Sequence, residues 1–216
     1  MYYGNASASD GQAATSVWDS NFNAVYHLKE DPSGGAPQMQ ESTTNNLDMT
    51  SSGSMPSSAL VTGQVDGSTK FDGSNDYVDI YSSDLNSVFN PDEGTLVAWA
   101  KVSDSSVWSD GAADWIVNMR VDSNNIVQFF ENNGNLYTYY YAGGTQKSIS
   151  HATTTTEWFQ VVLTWNASSD EAKFYFNGSQ QGSTQTGLGT WIGNLSSTQS
   201  VIGALNNSGN SSWSGD

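Results

Sequence analysis

Residue types that could carry out catalysis are few in this sequence, and their spacing does not favour a reaction. Acidic residues form three adjacent pairs in turn-like segments: Glu30-Asp31, Asp92-Glu93 and Asp170-Glu171. Adjacent side chains in such segments need not converge on one substrate. The two histidines, His27 and His151, are accompanied by no cysteine and no G-x-S-x-G motif that could supply a nucleophile. The sequence therefore favours a non-catalytic protein.

Tyrosines at alternate positions are better candidates for a binding role. In the segment LYTYYYA, the alternation of an extended chain places Tyr137, Tyr139 and Tyr141 on one face. Aromatic faces stack on the apolar face of a pyranose ring, and nearby amides can bind its hydroxyl groups. The same three rings could instead lie in a core, with their hydroxyls satisfied at its edge.

The tryptophans fall into two groups. Three of them lie in segments rich in Gly, Ser and Asn, which favour loops: Trp108, Trp191 and Trp213. Loop tryptophans have fewer structural reasons to be present, so we expect them to contact a ligand. Trp99 and Trp158 lie in strand-like segments, and we expect them in the core.

An acidic segment, FDGSND, offers oxygen ligands for an ion. Its candidates are Asp72, Asn75 and Asp76, with Asp79 further on. A tight turn between two strands explains the same residues, and both interpretations stay open.

Composition excludes several classes of partner. Six Lys and Arg face 22 Asp and Glu, a formal charge of −16, which repels nucleic acid and anionic lipid surfaces. No apolar run approaches the length needed to span a bilayer, and the absence of cysteine excludes disulfides and thiolate sites. Acidity also suits calcium, although a solvated acidic surface accounts for it as well.

Short alternating segments separated by turn residues follow one another from Lys70 onward, which is typical of an antiparallel sandwich. Two turns are well marked, at Asn132–Asn135 and Asn177-Gly178. Helix is expected at most around Ser83 to Phe89. The sequence predicts one all-β domain, a two-sheet antiparallel β-sandwich (jelly roll). The expected strands are 76–80, 95–102, 114–121, 125–131, 136–142, 158–165, 172–177 and 200–205, with KFDG and KSIS as shorter pieces.

Several of these segments, taken in order, resemble the laminin-G-like, concanavalin A-like lectin domains, which are related to pentraxins. VYHL (Val25 to Leu28) resembles the first core strand of that family, and Lys70 to Gly73 with Tyr77-Val78 resembles its "FDG…DYV" segment. The strand 95–102, the hairpin around Trp158 to Gly178, and Trp213-Ser214-Gly215 are similar to later family motifs. The paired carboxylates E-x-D-x-E of laminarinase-like relatives are missing. The resemblance implies a β-sandwich with a recognition function.

The resemblance to pentraxins also implies a calcium site at one rim of a sheet. The matching positions lie in two loops: Asp122, Asn124 and Asn125 in the first, and Asn206, Asn207 and Asn210 in the second. One carboxylate among many amides would make a weak site. Ordinary turn composition explains the same residues.

Domain organisation is expected as a leader or linker over residues 1–23 and the lectin-like domain over 24–216. Family members continue with one more strand, so we expect the sandwich to be truncated within a sheet and to leave an open edge. Met1 to Asn5 would then pair beside Val201, or exchange with a second copy to form a homodimer.

The function predicted from these observations is a non-catalytic carbohydrate- or glycoprotein-binding module for adhesion or recognition, with Ca²⁺ as the expected assisting ion. It would be extracellular, as part of a larger secreted or cell-surface protein. A structural or protein-interaction spacer is the alternative, and a polysaccharide-active enzyme is less favoured.

Overall fold

A computed structural model describes residues 17–52 and 54–216 of the chain. The strands are β1 (Thr50–Ser52), β2 (Leu60–Thr62), β3 (Gly67–Thr69), β4 (Phe71–Asp72), β5 (Tyr77–Asp79), β6 (Glu93–Ala100), β7 (Ala113–Asp122), β8 (Asn125–Asn132), β9 (Asn135–Ala142), β10 (Thr145–Ala152), β11 (Phe159–Asn166), β12 (Glu171–Phe176), β13 (Ser179–Gln185), β14 (Ser200–Ile202) and β15 (Ser214–Gly215). Helix α1 spans Ser83–Val88, and single 3₁₀ turns span Ser57–Ala59 and Ser105–Ser109. Strand makes up 44% of the chain and helix 8%, which confirms the all-β prediction.

Two sheets dominate the architecture. The larger sheet has seven strands in the order β1-β5-β14-β7-β8-β9-β10, and the smaller sheet has four, β13-β12-β11-β6. Every pairing within both sheets is antiparallel. Two short pairs, β15 with β4 and β2 with β3, lie outside them. The predicted antiparallel β-sandwich is therefore confirmed.

The core lies between the two sheets, where alternate residues of each strand face inward. Along β11, Phe159, Val161, Leu163 and Trp165 are buried and the residues between them are half-buried. Tyr140 of β9 stacks on Trp165 across the core, with ring centroids 6.0 Å apart. The Tyr140 hydroxyl and the Trp165 indole N–H both donate to the Pro91 carbonyl, at 3.1 and 3.0 Å. These two bonds satisfy polar atoms that burial in the core would otherwise leave without hydrogen-bond partners.

The sequence correctly predicted the two hairpin turns and the helix. Asn133 and Gly134 have φ of 51° and 76°, and Asn177 and Gly178 have 47° and 77°, the positive values that tight hairpin turns require. Helix α1 lies inside the predicted range. Its N-terminus is capped by the Ser82 hydroxyl, which accepts the Leu85 N–H at 2.9 Å.

The structure differs from the sequence predictions for two segments and contains a strand that was not predicted. The VYHL segment forms no regular strand, since Tyr26 makes only an isolated bridge to Glu41. The polar strand β13 was not predicted, because its sequence shows no apolar alternation. The edge beside Ser200–Leu205 is not open: β14 lies inside the larger sheet and pairs with β5 on one side and β7 on the other.

The leader expected to fill that edge, Met1 to Asn5, lies outside the described residues. At the other end, Asp216 pairs with Lys101 through both backbone groups, at 2.9 and 2.7 Å. Over the described part of the chain, the outer strands are β1 and β10 in the larger sheet and β6 and β13 in the smaller. In the same part, no helix is long and apolar enough to cross a membrane.

Candidate functional site

The three tyrosines predicted to share a face do so on β9. Tyr137, Tyr139 and Tyr141 are half-buried, while Leu136, Thr138, Tyr140 and Ala142 between and around them are buried. Since the buried set points toward the core, the three tyrosines lie on the outer face of the larger sheet. The structure thus favours the surface interpretation over the core interpretation.

Two further rings extend this surface across neighbouring strands. Trp115 of β7 stacks on Phe130 of β8 with centroids 5.1 Å apart, and Phe130 stacks on Tyr137 at 5.0 Å. Phe130 also meets Tyr139 edge-on at 5.0 Å. We call these five residues, Trp115, Phe130, Tyr137, Tyr139 and Tyr141, the aromatic face. Sequence reasoning missed Trp115 and Phe130 because cross-strand pairing, which no local pattern specifies, places them beside Tyr137.

Polar side chains border the aromatic face on the outer strand β10. Ser150, Ser148 and Gln146 are exposed, and the register places them opposite Tyr137, Tyr139 and Tyr141 respectively. Each tyrosine ring therefore has a hydroxyl or an amide beside it. An aromatic surface next to hydrogen-bonding groups can contact the apolar C–H groups of a sugar and bind its hydroxyls.

The predicted loop tryptophans are not part of this surface, and the expectation that they contact a ligand was wrong. Trp108, Trp191 and Trp213 are 3%, 8% and 1% exposed. The indole N–H of Trp108 donates to the Thr155 carbonyl, and that of Trp191 donates to the Gly193 carbonyl. Their Gly/Ser-rich loops fold back onto the sandwich, so these rings enlarge the core.

Two other tryptophans also differ from expectation. Trp99, predicted in the core, is 42% exposed because it lies at an outward position of β6. Trp158, expected in the core as well, is half-buried just before β11. Position within the alternation, rather than residue type, decides which ring is buried.

Polar residues of the first predicted calcium loop are engaged in their own turn. The Asp122 carboxylate accepts the Asn124 N–H at 2.8 Å and the Asn125 amide at 3.1 Å. The Asn125 amide oxygen accepts the N–H groups of Gly143 and Ile192, both at 3.0 Å. Asn125 is therefore a structural link rather than a free ligand.

The second predicted loop shows similar local bonding. Asn206 accepts the Ser208 N–H at 3.0 Å, the Asn207 amide donates to the Ser197 carbonyl at 3.2 Å, and the Asn210 carbonyl accepts the Leu205 N–H at 2.9 Å. These bonds are typical of turns. A weak calcium site formed by this loop and the Asp122 turn stays a prediction.

The FDGSND segment is a tight turn. The Asp72 carboxylate accepts the N–H groups of Ser74 and Asn75, and the Asp76 carboxylate accepts the Asp72 N–H at 3.1 Å. Asp79 accepts the Tyr81 N–H at 2.9 Å. Burial raises the pKa of Asp76, and the Asp72 carboxylate raises it further. The turn interpretation explains each of these acidic groups.

One acidic cluster was not anticipated from the sequence. Asp110, Asp114 and Glu131 bring carboxylate oxygens within 4.8 Å of one another, and the last two residues are buried. Burial, and then the Asp110 charge, raises the pKa of Asp114 to about 6. Burial raises the pKa of Glu131 to about 7 despite a hydrogen bond from the Gly134 N–H. The cross-strand pairing of Asp114 with Glu131 was the missing information.

Comparisons with known proteins agree with this fold. Residues 72–216 match the family described as the concanavalin A-like lectin/glucanases superfamily. The binding domain of Paraclostridial Mosquitocidal Protein 1 superposes with a TM-score of 0.61 at 15% identity, over 88% of this chain and 46% of that one. The receptor binding domain of the botulinum neurotoxin C/D mosaic serotype gives 0.59 at 17% identity, over 84% and 43%.

A smaller structure is similar over most of its own length. The CBM40 of Ruminococcus gnavus IT-sialidase, bound to α2,3 sialyllactose, gives a TM-score of 0.52 at 13% identity, over 68% of this chain and 83% of that one. The chain spans less than half the length of the two larger binding-domain chains. No curated protein sequence matches it. Because the family match covers more than half of the chain, the chain belongs to the concanavalin A-like lectin/glucanases superfamily.

Proposed function

We propose that this chain is a non-catalytic carbohydrate-binding module that holds a glycan against the aromatic face. The row of Tyr137, Tyr139 and Tyr141 on the outside of β9, with an exposed polar side chain opposite each ring, carries the proposal. The rings would contact C–H groups of successive sugars, and Ser148 and Ser150 would bind hydroxyl groups. Structures named as binding domains share this fold, including one bound to a sialylated sugar, which supports a binding role.

The charge of the protein narrows the class of glycan. A formal charge of −16 repels sulfated and sialylated chains over the range that salt leaves unscreened. Serine hydroxyls and a glutamine amide border the aromatic face, and they suit neutral hydroxyls. We therefore propose a neutral glycan built from hexoses or their N-acetyl derivatives, displayed on an extracellular surface.

Burial argues against the acidic cluster as a catalytic centre. Glu131 is 0% exposed and Asp114 is 6% exposed. A glycosidase needs two carboxyl groups that flank the scissile bond of a bound substrate. Carboxylates enclosed beneath the strands do not meet that requirement, which favours recognition over hydrolysis.

An array of neutral and acidic glycans, probed with the labelled protein in calcium and in EDTA, tests the proposal. We expect binding confined to neutral glycans. Binding only to sulfated or sialylated glycans would contradict the charge argument, and release of reducing sugar from a bound polysaccharide would contradict the non-catalytic assignment. Loss of binding in EDTA would support calcium assistance, whereas binding that is unchanged in EDTA would refute it.

Self-association is a second candidate function, and one feature favours it. Strand β6 is an outer strand of eight residues, and its outward side chains include Val97 and Trp99, which are 50% and 42% exposed. An outer strand with apolar side chains is a template for pairing with a second copy of the chain. A homodimer would therefore form at β6 and not beside Val201, where both edges are occupied.

Sedimentation across a range of protein concentrations tests this second candidate. We expect a dimer whose dissociation constant rises at least tenfold in a Trp99→Lys variant, with an outward-facing Thr164→Lys variant on the inner strand β11 as the control. A monomer at all concentrations would exclude self-association while leaving glycan binding intact.

A further inference from the structure

Three carboxylates from separate elements meet at one end of the strands β7 and β8. Asp110 directly follows the 3₁₀ turn Ser105–Ser109, Asp114 lies at the start of β7, and Glu131 lies at the end of β8. One oxygen from each lies within 4.8 Å of the others. A single ion with metal–oxygen distances of about 2.3 to 2.6 Å can bridge oxygens at that spacing.

Glu131 provides a second and independent observation. Its side chain is fully buried, at 0% exposure, and one oxygen accepts the Gly134 N–H at 2.8 Å. The other oxygen, Oε2, is buried and has no hydrogen-bond partner among the described residues. A buried carboxylate oxygen without a partner has a high free-energy cost unless a cation or a proton satisfies it.

Basic side chains do not supply that cation. The chain has six Lys and Arg in total, and each interacts with a group outside the cluster. Lys29 pairs with Asp66, and Lys173 pairs with Glu171. The remaining four follow the same pattern: Lys70 and Lys101 act on Asp216, Lys147 acts on Asp170, and Arg120 donates to the Asp122 carbonyl.

We propose that Asp110, Asp114 and Glu131 bind a calcium ion. Three carboxylates without histidine or cysteine favour a hard cation over zinc. The longer and more flexible coordination of calcium suits the oxygen spacing better than the tight octahedron of magnesium. Asp110 is exposed, so water can complete the coordination shell from its side.

Such an ion would fix the aromatic face from behind. Asp114 directly precedes Trp115 and Glu131 directly follows Phe130, and strand alternation sends the acidic and aromatic side chains to opposite faces. An ion that ties these two strand ends to the 3₁₀ turn would hold Trp115 and Phe130 in register. The site does not depend on glycan binding, because its ligands lie on the other face of the sheet.

Thermal unfolding and calorimetry with calcium chloride test the proposal. We expect calcium at about 100 times its dissociation constant to raise the Tm by about 5 to 10 °C relative to EDTA. Glu131→Gln should abolish the shift, and Asp110→Asn, at an exposed position, should weaken calcium binding at least tenfold. Glu157→Gln is the matched control, because it removes an equal charge from an exposed residue outside the cluster.

Three results would overturn the proposal. One is an unchanged Tm of the wild-type chain in millimolar calcium. Another is an equal calcium shift in the wild type and in Glu131→Gln, which would place the ion elsewhere, for example at Asp122. If Glu131→Gln does not fold, unweakened calcium binding by Asp110→Asn would refute the site.

Discussion

Trp213 packs its indole between two other rings of the core, Trp108 and Phe159, with centroids 6.5 Å from each. It is 1% exposed, and its indole nitrogen is buried with no hydrogen-bond partner in the part of the chain that the structure describes. Packing area therefore outweighs one unsatisfied N–H at this position. The residue stabilises the sandwich and does not contact solvent.

Two substitutions separate packing from polarity at Trp213. Trp213→Ala should lower the free energy of unfolding by about 3 to 5 kcal/mol, because it removes a large buried ring. Trp213→Phe should cost much less, since it keeps an aromatic ring and removes the unsatisfied donor. Urea unfolding measures both. Equal losses for the two variants would show that indole shape, rather than buried area, holds this region.

Strand β9 shows what alternation can and cannot predict at the scale of an element. The sequence assigned Tyr137, Tyr139 and Tyr141 to one face, but it could not say which face is buried, because Leu136, Thr138 and Tyr140 are no more apolar as a set. Packing between the sheets decided it: Trp165 of the smaller sheet stacks on Tyr140. The bulge after Trp115 and the pairing of Asp114 with Glu131 depend on register, which the sequence alone does not reveal.

The hairpin turns give an element-scale prediction. Gly134 and Gly178 occupy the same turn position with φ of 76° and 77°. Gly178→Ala should cost about 1 to 2 kcal/mol for the left-handed backbone alone, since its Cβ would meet no atom within 4 Å. Gly134→Ala should cost more, because its Cβ would lie 3.2 Å from the Trp108 carbonyl oxygen. Chemical denaturation compares the free energy of unfolding of the two variants. Equal losses would mean that the 3₁₀ turn carrying Trp108 moves away from the new Cβ without a measurable cost.

Most of the architecture was predictable from the sequence, whereas the loops that cover it were not. Alternation along β6, β9, β10, β11 and β12 predicts strands, hairpins and fold class, because these strands have one more buried and one more exposed face, whereas β8 is buried on both faces. Loop tryptophans depend on how a Gly-rich segment folds back, which no local pattern specifies. Likewise, β14 pairs with β5 and β7, which are distant in sequence, and no local pattern predicts that pairing.

Stability of the whole molecule should depend on pH through the acidic cluster. The pKa of Asp114 is raised to about 6 and that of Glu131 to about 7, above the unfolded values of about 3.9 and 4.3, with Asp110 the charged group beside both. A raised carboxyl pKa means that the folded state binds more protons than the unfolded state. The free energy of unfolding that the protonated carboxyl groups contribute is therefore complete below about pH 4 and is lost as pH rises through 6 to 7.

In EDTA we therefore expect the Tm to fall between about pH 5 and pH 8, and the fall to be smaller in Glu131→Gln. Calorimetric melting at several pH values measures it, with Glu157→Gln as the control that should keep the full slope. A Tm that rises over this range in EDTA would contradict the assignment of neutral carboxyl groups to the cluster.

The central claim is that the aromatic face binds a glycan, and titration calorimetry with the glycan selected by the array tests it most directly. Tyr139→Ala should weaken binding about tenfold or more, because a stacking ring is removed. Tyr175→Ala, which removes a half-buried tyrosine from the outer face of the smaller sheet, should leave the affinity unchanged. Unchanged affinity in Tyr139→Ala together with lost affinity in Tyr175→Ala would place the glycan site on the smaller sheet and contradict the claim.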